Sequence, residues 1–424
     1  MSTPTASQTA AHGPAHAELD RLWAELAPVG RDGVTGGYRR FAWTREDATL
    51  REWFAGECAR RGLEVVEDRA GNQWAWWGDV DAARARGVQG VAIGSHLDSV
   101  PDGGAYDGPL GVVTALATVD ALRAAGHEPT VPIGVVNFVD EEGARFGVAC
   151  IGSRVMTGAM APERALGLRD HDGVTLAEAL RAAGRDPDAI GRDDEALARV
   201  GTFVELHVEQ GRGLADLDRP VAVGTAIWPH GRWRLDLVGQ ANHAGTTRLE
   251  DRDDPMLRLA SAILTARTAA TAHGCVATIG KTRVVPGGVN AIPSAVTAWL
   301  DARGPVEADV REVVEAVARN SGIRPAAEPL CESWTPETTF DADLAARLSA
   351  LLDDAPLLGT GAGHDAGILA NAGIPTAMLY VRNPTGVSHA PDEHADVADC
   401  HAGLDALATV VADLGGRTAG PAGG

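Results

Sequence analysis

The sequence predicts an α/β protein in which a mostly parallel sheet forms the main domain and a smaller α+β domain is inserted into it. Two observations lead to this fold class. The apolar runs VQGVAIGSHLD and VPIGVVNFVDEEG flank a small-residue helical segment, GVVTALATVDALRAAG, and such uninterrupted runs are typical of strands covered on both faces. After Gln210 the apolar and polar residues alternate instead, as in GRWRLDLVG, which is typical of strands with one exposed face.

The first part of the main domain, residues 1–225, begins with a helix and two strands. Thr44 is a cap candidate for the helix TREDATLREWFAGECARRG, in which apolar residues recur at helical spacing. Two β-rich runs, LEVVEDR and NQWAWWG, follow around a turn at Gly71-Asn72, and TFVELHVEQG predicts a further strand. Residues 1–16 contain no basic region and no apolar block, so they predict a loose tail rather than a signal peptide.

The inserted domain is predicted over residues 226–332, and the main domain resumes over residues 333–424. Alternating runs such as CVATIGKTRVV and SAVTAWLDAR, together with the helical DPMLRLASAILTARTAA, predict two helices around three half-exposed strands. The segments ADLAARLSALLDD and IPTAMLYVR then return to α/β character. Residues 415–424 are low in complexity and predict a frayed end.

The composition excludes several classes of function. Of the 424 residues, 37 are basic and 58 acidic, which gives a net charge of 37 − 58 = −21, so neither nucleic acid nor an anionic membrane surface is expected as a partner. No uninterrupted apolar run reaches the roughly 20 residues of a transmembrane helix. The five cysteines are scattered and never in CxxC spacing, which argues against a disulfide framework and favours the cytoplasm.

Polar side chains collect where the predicted strands end, which is where α/β sheets bind ligands. His96 and Asp98 are two residues apart and lie on one side of a strand, so Asp98 can fix the tautomer of the imidazole. Asp107 follows one glycine-rich loop later. The adjacent Glu141 and Glu142 end another buried strand, where cations would offset their lost hydration. One of the two would bind a metal and the other would act as general base.

Two further histidines complete a candidate metal set. His207 lies in ELHVEQG and His389 in GVSHAPDEH, and a mixture of nitrogen and oxygen ligands favours Zn²⁺ or Mn²⁺ over Ca²⁺. Each feature alone has an ordinary structural explanation, as a hydrogen-bonded core histidine, a surface pair of glutamates or a simple glycine turn. Their shared position at strand ends favours a metal site.

Six motifs occur in an order that resembles one family. GSHLDSVPDGGAYDGPLGV, VDEEGARFG, ELHVEQG, GQANHAGTT, GAGHDA and GVSHAPDEH are similar to motifs of metal-dependent amidohydrolases that act on ureido acids. These are the allantoate amidohydrolases, the N-carbamoyl-L-amino-acid hydrolases and the β-ureidopropionases, within the superfamily of aminoacylases and zinc carboxypeptidases. The resemblance spans roughly residues 30–395 and implies a hydrolase of non-peptide C–N bonds in linear ureides that releases ammonia.

The resemblance implies two divalent metal ions per subunit, Zn or Mn, with Co or Ni as alternatives. Asp107 would bridge the two ions. His96 and His207 would complete one site, and Glu142 and His389 would complete the other. Histidine at position 207 is typical of ureido hydrolases, since peptidase relatives usually carry a carboxylate there.

The same resemblance assigns the neighbouring residues. Glu141 would be the general base, and Asp98 would orient the first histidine ligand. The family also implies a cis peptide between Asp107 and Gly108, which costs about 3–4 kcal/mol outside proline and therefore needs support from the metals and the fold.

The inserted domain would be the lid and dimerisation module of a homodimer. The resemblance implies that His243, in GQANHAGTT, reaches the active site of the other subunit and stabilises the oxyanion. Asn290 and Arg303 match residues that hold the substrate carboxylate, for which the planar guanidinium fork is suited. Gln210 matches a ureido contact, and His364 matches another active-site group. Without the resemblance, Arg303 would be interpreted as an ordinary surface arginine.

Two departures from the family bear on the substrate. Arg248 and Leu249 follow GTT where relatives commonly carry Pro-Met, and Arg382 lies close to a predicted metal ligand. This polar loop and Arg382 favour allantoate, a compound of purine catabolism with two ureido arms, over an N-carbamoyl-L-amino acid or β-ureidopropionate, although Arg382 could equally be structural. His207 and Gln210 disfavour a dipeptidase or aminoacylase, and the complete ligand set disfavours a non-catalytic binding protein.

Overall fold

The computed structural model describes residues 6–320 and 328–416, and the statements below concern these residues. The chain forms two compact units. The first comprises the chain up to Thr225 and from Thr339 onward, and the second is Ala226–Thr338.

Helices and strands alternate along most of the chain. The α-helices are α1 (Ala6–Leu26), α2 (Arg45–Arg60), α3 (Val80–Ala85), α4 (Pro109–Ala124), α5 (Ile151–Thr157), α6 (Pro162–Leu166), α7 (Leu176–Ala182), α8 (Asp194–Arg199), α9 (Gly213–Leu217), α10 (Pro255–Ala272), α11 (Glu307–Asn320), α12 (Ala342–Leu351), α13 (Asp365–Asn371) and α14 (Val397–Leu414). The strands are β1 (Val65–Glu67), β2 (Gln73–Trp77), β3 (Gly90–His96), β4 (Ile133–Phe138), β5 (Val200–Val208), β6 (Val221–Ile227), β7 (His230–Val238), β8 (Asn242–His243), β9 (Val276–Val285), β10 (Ala291–Ile292), β11 (Ala295–Arg303), β12 (Leu330–Thr335), β13 (Thr338–Thr339), β14 (Leu357–Thr360) and β15 (Thr376–Val381).

The first unit is built around a nine-stranded sheet. Its strands follow the order β1-β2-β4-β3-β5-β15-β6-β13, with β14 paired to β6. The central pairs β4–β3, β3–β5 and β5–β15 are parallel, whereas β2 and β6 join the neighbouring strands in antiparallel fashion. Strands β3, β4 and β15 are buried along their whole length, as their uninterrupted apolar runs predict. The predicted α/β fold class with a mostly parallel sheet is confirmed.

Helix α4 packs tightly against the centre of this sheet. It begins with Pro109, whose ring is pre-organised for the first helical position. A Cβ on Gly111 would lie 2.3 Å from the carbonyl oxygen of Leu206 in β5, so only glycine permits this close approach. The approach brings Asp107 and Gly108, which directly precede the helix, to the carboxyl ends of the central strands.

The second unit contains a four-stranded antiparallel sheet with the order β12-β7-β11-β9. Helices α10 and α11 pack on it, and their apolar residues form one core with alternate residues of the strands, among them Leu235, Leu300 and Val310. The sequence predicts three strands and an end at residue 332. The structure has a fourth strand because β12 pairs with β7, and the unit therefore extends to Thr338.

Residues 6–16, the described part of the expected loose tail over residues 1–16, form the start of a helix. Helix α1 begins at Ala6, and its residues Ala15 and Leu19 are buried in the main core. Apolar contact on one helix face therefore orders this segment. Residues 1–5, and most of the end predicted to fray, lie outside the described residues. Within the described part of the chain, each helix is too short or too polar to span a bilayer.

Candidate active site

Three buried side chains meet at the carboxyl ends of β3 and β5. His96 is the last residue of β3, and His207 lies near the end of β5. Their Nε2 atoms lie 3.7 Å and 3.2 Å from Oδ1 of Asp107. Because β3 and β5 are parallel neighbours, their carboxyl ends share one edge of the sheet, and this brings together two histidines that are far apart in sequence.

Backbone carbonyls set the tautomers of both histidines. Nδ1 of His96 donates to the carbonyl oxygen of Asp98 at 3.1 Å, and Nδ1 of His207 donates to that of Val208 at 2.9 Å. With Nδ1 bound in this way, each ring turns its Nε2 toward Asp107. Nε2 of His96 is buried and has no hydrogen-bond partner among the described residues. A buried nitrogen without a hydrogen-bond partner and close to a carboxylate is suited to bind a metal ion.

A second group forms on the other oxygen of the same aspartate. Nε2 of His389 lies 3.3 Å from Oδ2 of Asp107 and 3.6 Å from Oε2 of Glu142. His389 has a φ of 56°, in the left-handed region, and half of its side chain is exposed. Asp107 thus offers one oxygen to each of two groups of nitrogen and oxygen ligands.

These residues fit divalent cations. In each of the two groups the ligand atoms lie within 4.8 Å of one another. Imidazole nitrogens with carboxylate oxygens are the ligands of Zn²⁺ and Mn²⁺. A third group, Glu205 with His207 and His364, has equally close atoms, but the two oxygens of Glu205 already accept hydrogen bonds from Oγ of Ser95 and the N–H of Ala366.

The electrostatics of the site favour bound cations. Burial, with repulsion from Asp107, raises the pKa of Glu142 to about 7. Burial also raises the pKa of Glu141 well above its usual range. Burial alone would raise the pKa of Asp107 as well, but hydrogen bonds with His207 and His389 hold it well below its usual value. Divalent ions would offset the free-energy cost of burying so many carboxyl groups close together.

Glu141 lies beside the first group without belonging to it. Its Oε2 is 3.7 Å from Nε2 of His96, and the thiol of Cys150 lies 3.4 Å from its Oε1. The residue is 5% exposed. A carboxylate that is close to a metal group yet outside its ligand set is free to accept a proton.

Asp98 has more contacts than the sequence predicts. One of its oxygens lies 3.4 Å from Nδ1 of His96, as expected for an orienting residue. Its two oxygens also accept the backbone N–H groups of Glu141 at 3.1 Å and Glu142 at 3.0 Å. One buried carboxylate therefore aligns a histidine on β3 with both glutamates that follow β4.

We expect Asp98→Asn to weaken metal binding by about 10- to 100-fold, the usual range for residues that orient metal ligands. Asparagine has a single acceptor oxygen, so one of the two backbone N–H groups would lose its partner. Titration of metal-free protein with Mn²⁺ measures the change. The matched control is Asp102→Asn in the same loop, because the Asp102 carboxylate is bound by Arg39 at the surface. Equal Mn²⁺ affinities in the two variants would contradict the orienting role.

Gln210 and His364 lie next to these groups. Nε2 of Gln210 donates to Oδ2 of Asp107 at 2.9 Å, and its buried Oε1 has no partner among the described residues. The His364 ring lies 4.5 Å from that of His207, and both of its nitrogens are buried without a hydrogen-bond partner in the described chain. Burial and the neighbouring His207 hold the pKa of His364 well below its usual range, so it is neutral and can either donate or accept.

The remaining predicted site residues lie in the second unit. His243 and Asn290 are adjacent, because β8 pairs with β10 and the N–H of Ala244 donates to the carbonyl oxygen of Asn290 at 3.0 Å. Both residues are exposed. Arg303 lies at the far end of β11, where its Nε and Nη2 donate to the two oxygens of Asp301 at 2.7 Å and 3.0 Å. The structure brings the first two residues together and leaves Arg303 apart from them.

Two expectations change in the structure. The peptide between Asp107 and Gly108 is not cis, and the cis bond among the described residues is Val285–Pro286. A trans bond avoids the cost of about 3–4 kcal/mol, and the N–H of Gly108 donates to Nε2 of His207 at 3.2 Å.

Arg382 does not point to an extra substrate group. Its Nε and Nη2 donate to both oxygens of the buried Asp399, at 2.7 Å and 3.0 Å, and its Nη1 donates to Asp218 at 2.9 Å. With all three nitrogens paired, the guanidinium has a structural role.

Several polar residues of the site were missed by sequence reasoning. Glu393, Asp140 and Asp365 are buried beside it, and Ser153 donates to Asp365 in a short hydrogen bond. Glu393 lies inside the motif GVSHAPDEH, which is the one sequence signal that could have pointed to it. Asp140 and Asp365 likewise lie inside the motifs VDEEGARFG and GAGHDA, whereas Ser153 lies outside the six motifs.

Comparison with known proteins adds independent information. Residues 92–413 match peptidase family M20/M25/M40. The chain is 37% identical to an N-carbamoyl-L-amino acid amidohydrolase of Geobacillus stearothermophilus, over 92% of this chain and 96% of the relative. It is 29% identical to an allantoate amidohydrolase of Escherichia coli, over 92% and 95%. A solved hydantoinase/carbamoylase family amidase from Burkholderia ambifaria has a TM-score of 0.80 and 31% identity, over 95% and 98%. The resemblance predicted from the six motifs is confirmed.

Proposed function

This chain belongs to peptidase family M20/M25/M40, and from that premise we propose that it is a two-metal amidohydrolase that cleaves the carbamoyl C–N bond of N-carbamoyl amino acids. The observation that carries the proposal is the position of Asp107, whose two oxygens face two separate ligand groups while Glu141 stands free beside them. This arrangement offers metal ligands and a general base within one buried site.

The residues suit hydrolysis by an attacking water. Two divalent cations, when bound, supply a water of lowered pKa and polarise the carbamoyl carbonyl. Glu141 takes the proton from the attacking water and returns it to the leaving nitrogen, so that water and substrate yield ammonia, carbon dioxide and an amino acid. Gln210 and His364 offer buried polar atoms without partners, and these atoms are free to bind the ureido group.

His243 is suited to stabilise the oxyanion. The N–H of Gly245 donates to its Nδ1 at 3.0 Å, so the proton of the neutral ring is on Nε2. The ring is exposed, and its Nε2–H can donate to an oxygen that becomes negative in the transition state.

The second unit supports a site shared between two copies of the chain. Ala295 begins β11 and Arg303 ends it, so at about 3.4 Å per residue the strand separates its two ends by about 27 Å. His243 and Asn290 lie near the Ala295 end, because Ala295 pairs with Val238 of β7. A substrate of amino-acid size does not bridge that distance. A homodimer in which one copy supplies His243 and Asn290 and the other supplies Arg303 would bring all three to one substrate.

The substrate preference follows from Arg382 and from the relatives. Arg382 and the polar loop at Arg248 were the two features that favoured allantoate, and the three nitrogens of Arg382 are already bound by Asp399 and Asp218. The relative at 37% identity is named an N-carbamoyl-L-amino acid amidohydrolase, whereas the relative named allantoate amidohydrolase is 29% identical. We therefore place N-carbamoyl-L-amino acids first and allantoate second.

A substrate panel tests the proposal. Protein reconstituted with Mn²⁺ or Zn²⁺ is incubated with N-carbamoyl-L-amino acids, allantoate, β-ureidopropionate and dipeptides, and released ammonia or amino acid is measured. We expect the highest kcat/KM for an N-carbamoyl-L-amino acid and no turnover after chelation of the metals. Higher kcat/KM for allantoate would replace the substrate assignment, and turnover of dipeptides alone would refute the ureido assignment.

A further inference from the structure

We propose that Glu393 is a positioning residue that holds the bridging aspartate, Asp107, and thereby controls binding of the second metal ion. The second site means the group Asp107, Glu142 and His389, and the first site means His96, Asp107 and His207. This inference rests on the proposed two-metal function and adds a residue that acts through Asp107 without being a metal ligand itself.

Glu393 holds the backbone of the loop that carries Asp107. Its Oε1 accepts two consecutive backbone N–H groups, those of Tyr106 at 2.8 Å and Asp107 at 2.9 Å. The side chain is 5% exposed. A buried carboxylate that accepts two N–H groups in a row fixes the peptide plane between them, and so the direction in which the Asp107 side chain leaves the backbone.

Gly104 leaves room for this carboxylate. A Cβ at position 104 would lie 2.4 Å from both Cβ and Oε1 of Glu393. A contact under 3 Å forces one partner to move, so any side chain at position 104 would displace Glu393 from the two N–H groups. The glycine-rich stretch before Asp107 is therefore shaped around Glu393 as well as around a turn.

The other oxygen of Glu393 joins the two ligand loops. Oγ of Ser388 lies 3.2 Å from Oε2 of Glu393 and 3.1 Å from Oδ2 of Asp107. Ser388 directly precedes His389. Glu393 and Ser388 thus fix the oxygen that Asp107 turns toward the second site, together with the residue that carries another ligand of that site.

The first site is held by different contacts. His96 and His207 lie on strands β3 and β5, and their rings are bound to backbone carbonyls. None of these hydrogen bonds involves Glu393. Asp107 is a ligand of both sites, but the first site keeps these two fixed histidines, so loss of Glu393 is expected to affect the second ion more than the first.

The test is titration of metal-free protein with Mn²⁺, which needs no substrate. In Glu393→Ala we expect the Kd of the second Mn²⁺ to rise by about 10- to 100-fold, the usual range for residues that support metal ligands, and the Kd of the first to rise by less. Glu393→Gln keeps an oxygen for the two N–H groups, so it should restore most of the affinity. Ser388→Ala removes the contacts of its hydroxyl with Oε2 of Glu393 and Oδ2 of Asp107 but leaves the two backbone N–H groups bound to Glu393, so we expect the lower end of the same range.

A matched control separates positioning from a general loss of stability. Glu57→Ala also removes a buried carboxylate, but Glu57 is bound by Arg21 of helix α1 and by Arg61, which directly follows helix α2, and it has no contact with either metal site. Unchanged Kd values in folded Glu393→Ala, or equal weakening of both ions, would overturn the inference. If Glu393→Ala fails to fold, unchanged binding of the second Mn²⁺ by Ser388→Ala would overturn the inference instead. A wild-type protein that binds a single Mn²⁺ would also overturn it. Failure of the substrate panel would instead refute the proposed function and leave the binding result intact.

Discussion

Replacing Glu141 with glutamine is expected to lower kcat for an N-carbamoyl-L-amino acid by about 10²- to 10⁴-fold, the usual contribution of a general base, with both metal ions still bound. The glutamine side chain has nearly the same shape but cannot accept and return a proton. The backbone of Glu141 would stay in place, because its N–H donates to the carboxylate of Asp98 at 3.1 Å. The measurements are kcat with saturating Mn²⁺ and metal content per chain.

The adjacent glutamate provides the matched control for Glu141→Gln. Glu142 lies in the second ligand group, 3.6 Å from Nε2 of His389, and Glu141 does not. Glu142→Gln should therefore lose affinity for the second ion, and high Mn²⁺ should recover part of its activity. Glu141→Gln should not respond to added metal. A kcat for Glu141→Gln close to that of the wild type would remove Glu141 as the base.

The predicted ligands were accessible from the sequence because parallel neighbouring strands bring their carboxyl ends to one edge. His96, Glu142 and His207 each stand at or just after such a strand end, and the structure places them around Asp107. The fold class followed from the same runs of apolar residues. The features that could be predicted are those that depend on a single strand and on the residues at its end.

Partners that come from distant parts of the chain could not be predicted. Glu393 reaches the N–H of Asp107 across 286 residues, and Arg382 is bound by Asp218 across 164. Both contacts depend on which loops the fold brings together, and no local spacing encodes that. The trans peptide at Asp107 is a similar case, because the N–H of Gly108 donates to His207, which lies 99 residues away.

Arg382 shows why the role of a charged residue near a strand end is difficult to predict from the sequence. The sequence places it at the end of a buried strand near a metal ligand, where an arginine could bind substrate. In the structure it binds Asp399, which is 4% exposed, and a buried carboxylate of this kind is costly unless it is paired. Burial of its partner, which the sequence does not reveal, decides the role of this residue.

Replacing His243 with alanine is expected to lower kcat by about 10²- to 10³-fold, the usual cost of losing one donor to an oxyanion. The donor would be the exposed Nε2–H, since the N–H of Gly245 already occupies Nδ1. His243→Asn, which keeps an N–H donor, should retain more activity than alanine. Equal kcat in wild type and His243→Ala would exclude the oxyanion role.

Mixed dimers decide whether His243 acts on its own chain or on its partner. If the site is shared, a dimer of one His243→Ala chain and one Glu141→Gln chain has one site with both residues intact. Random exchange of equal amounts would then restore about a quarter of wild-type activity, because about half of the dimers are mixed and each has one working site.

Mixing Glu141→Gln with Glu142→Gln is the control, since both changes lie in the same unit and every site stays defective. Exchange is verified with differently tagged chains. No recovery in the first mixture after verified exchange would mean that His243 serves its own chain. The distance along β11 would then require Arg303 to act somewhere other than on the substrate bound near His243.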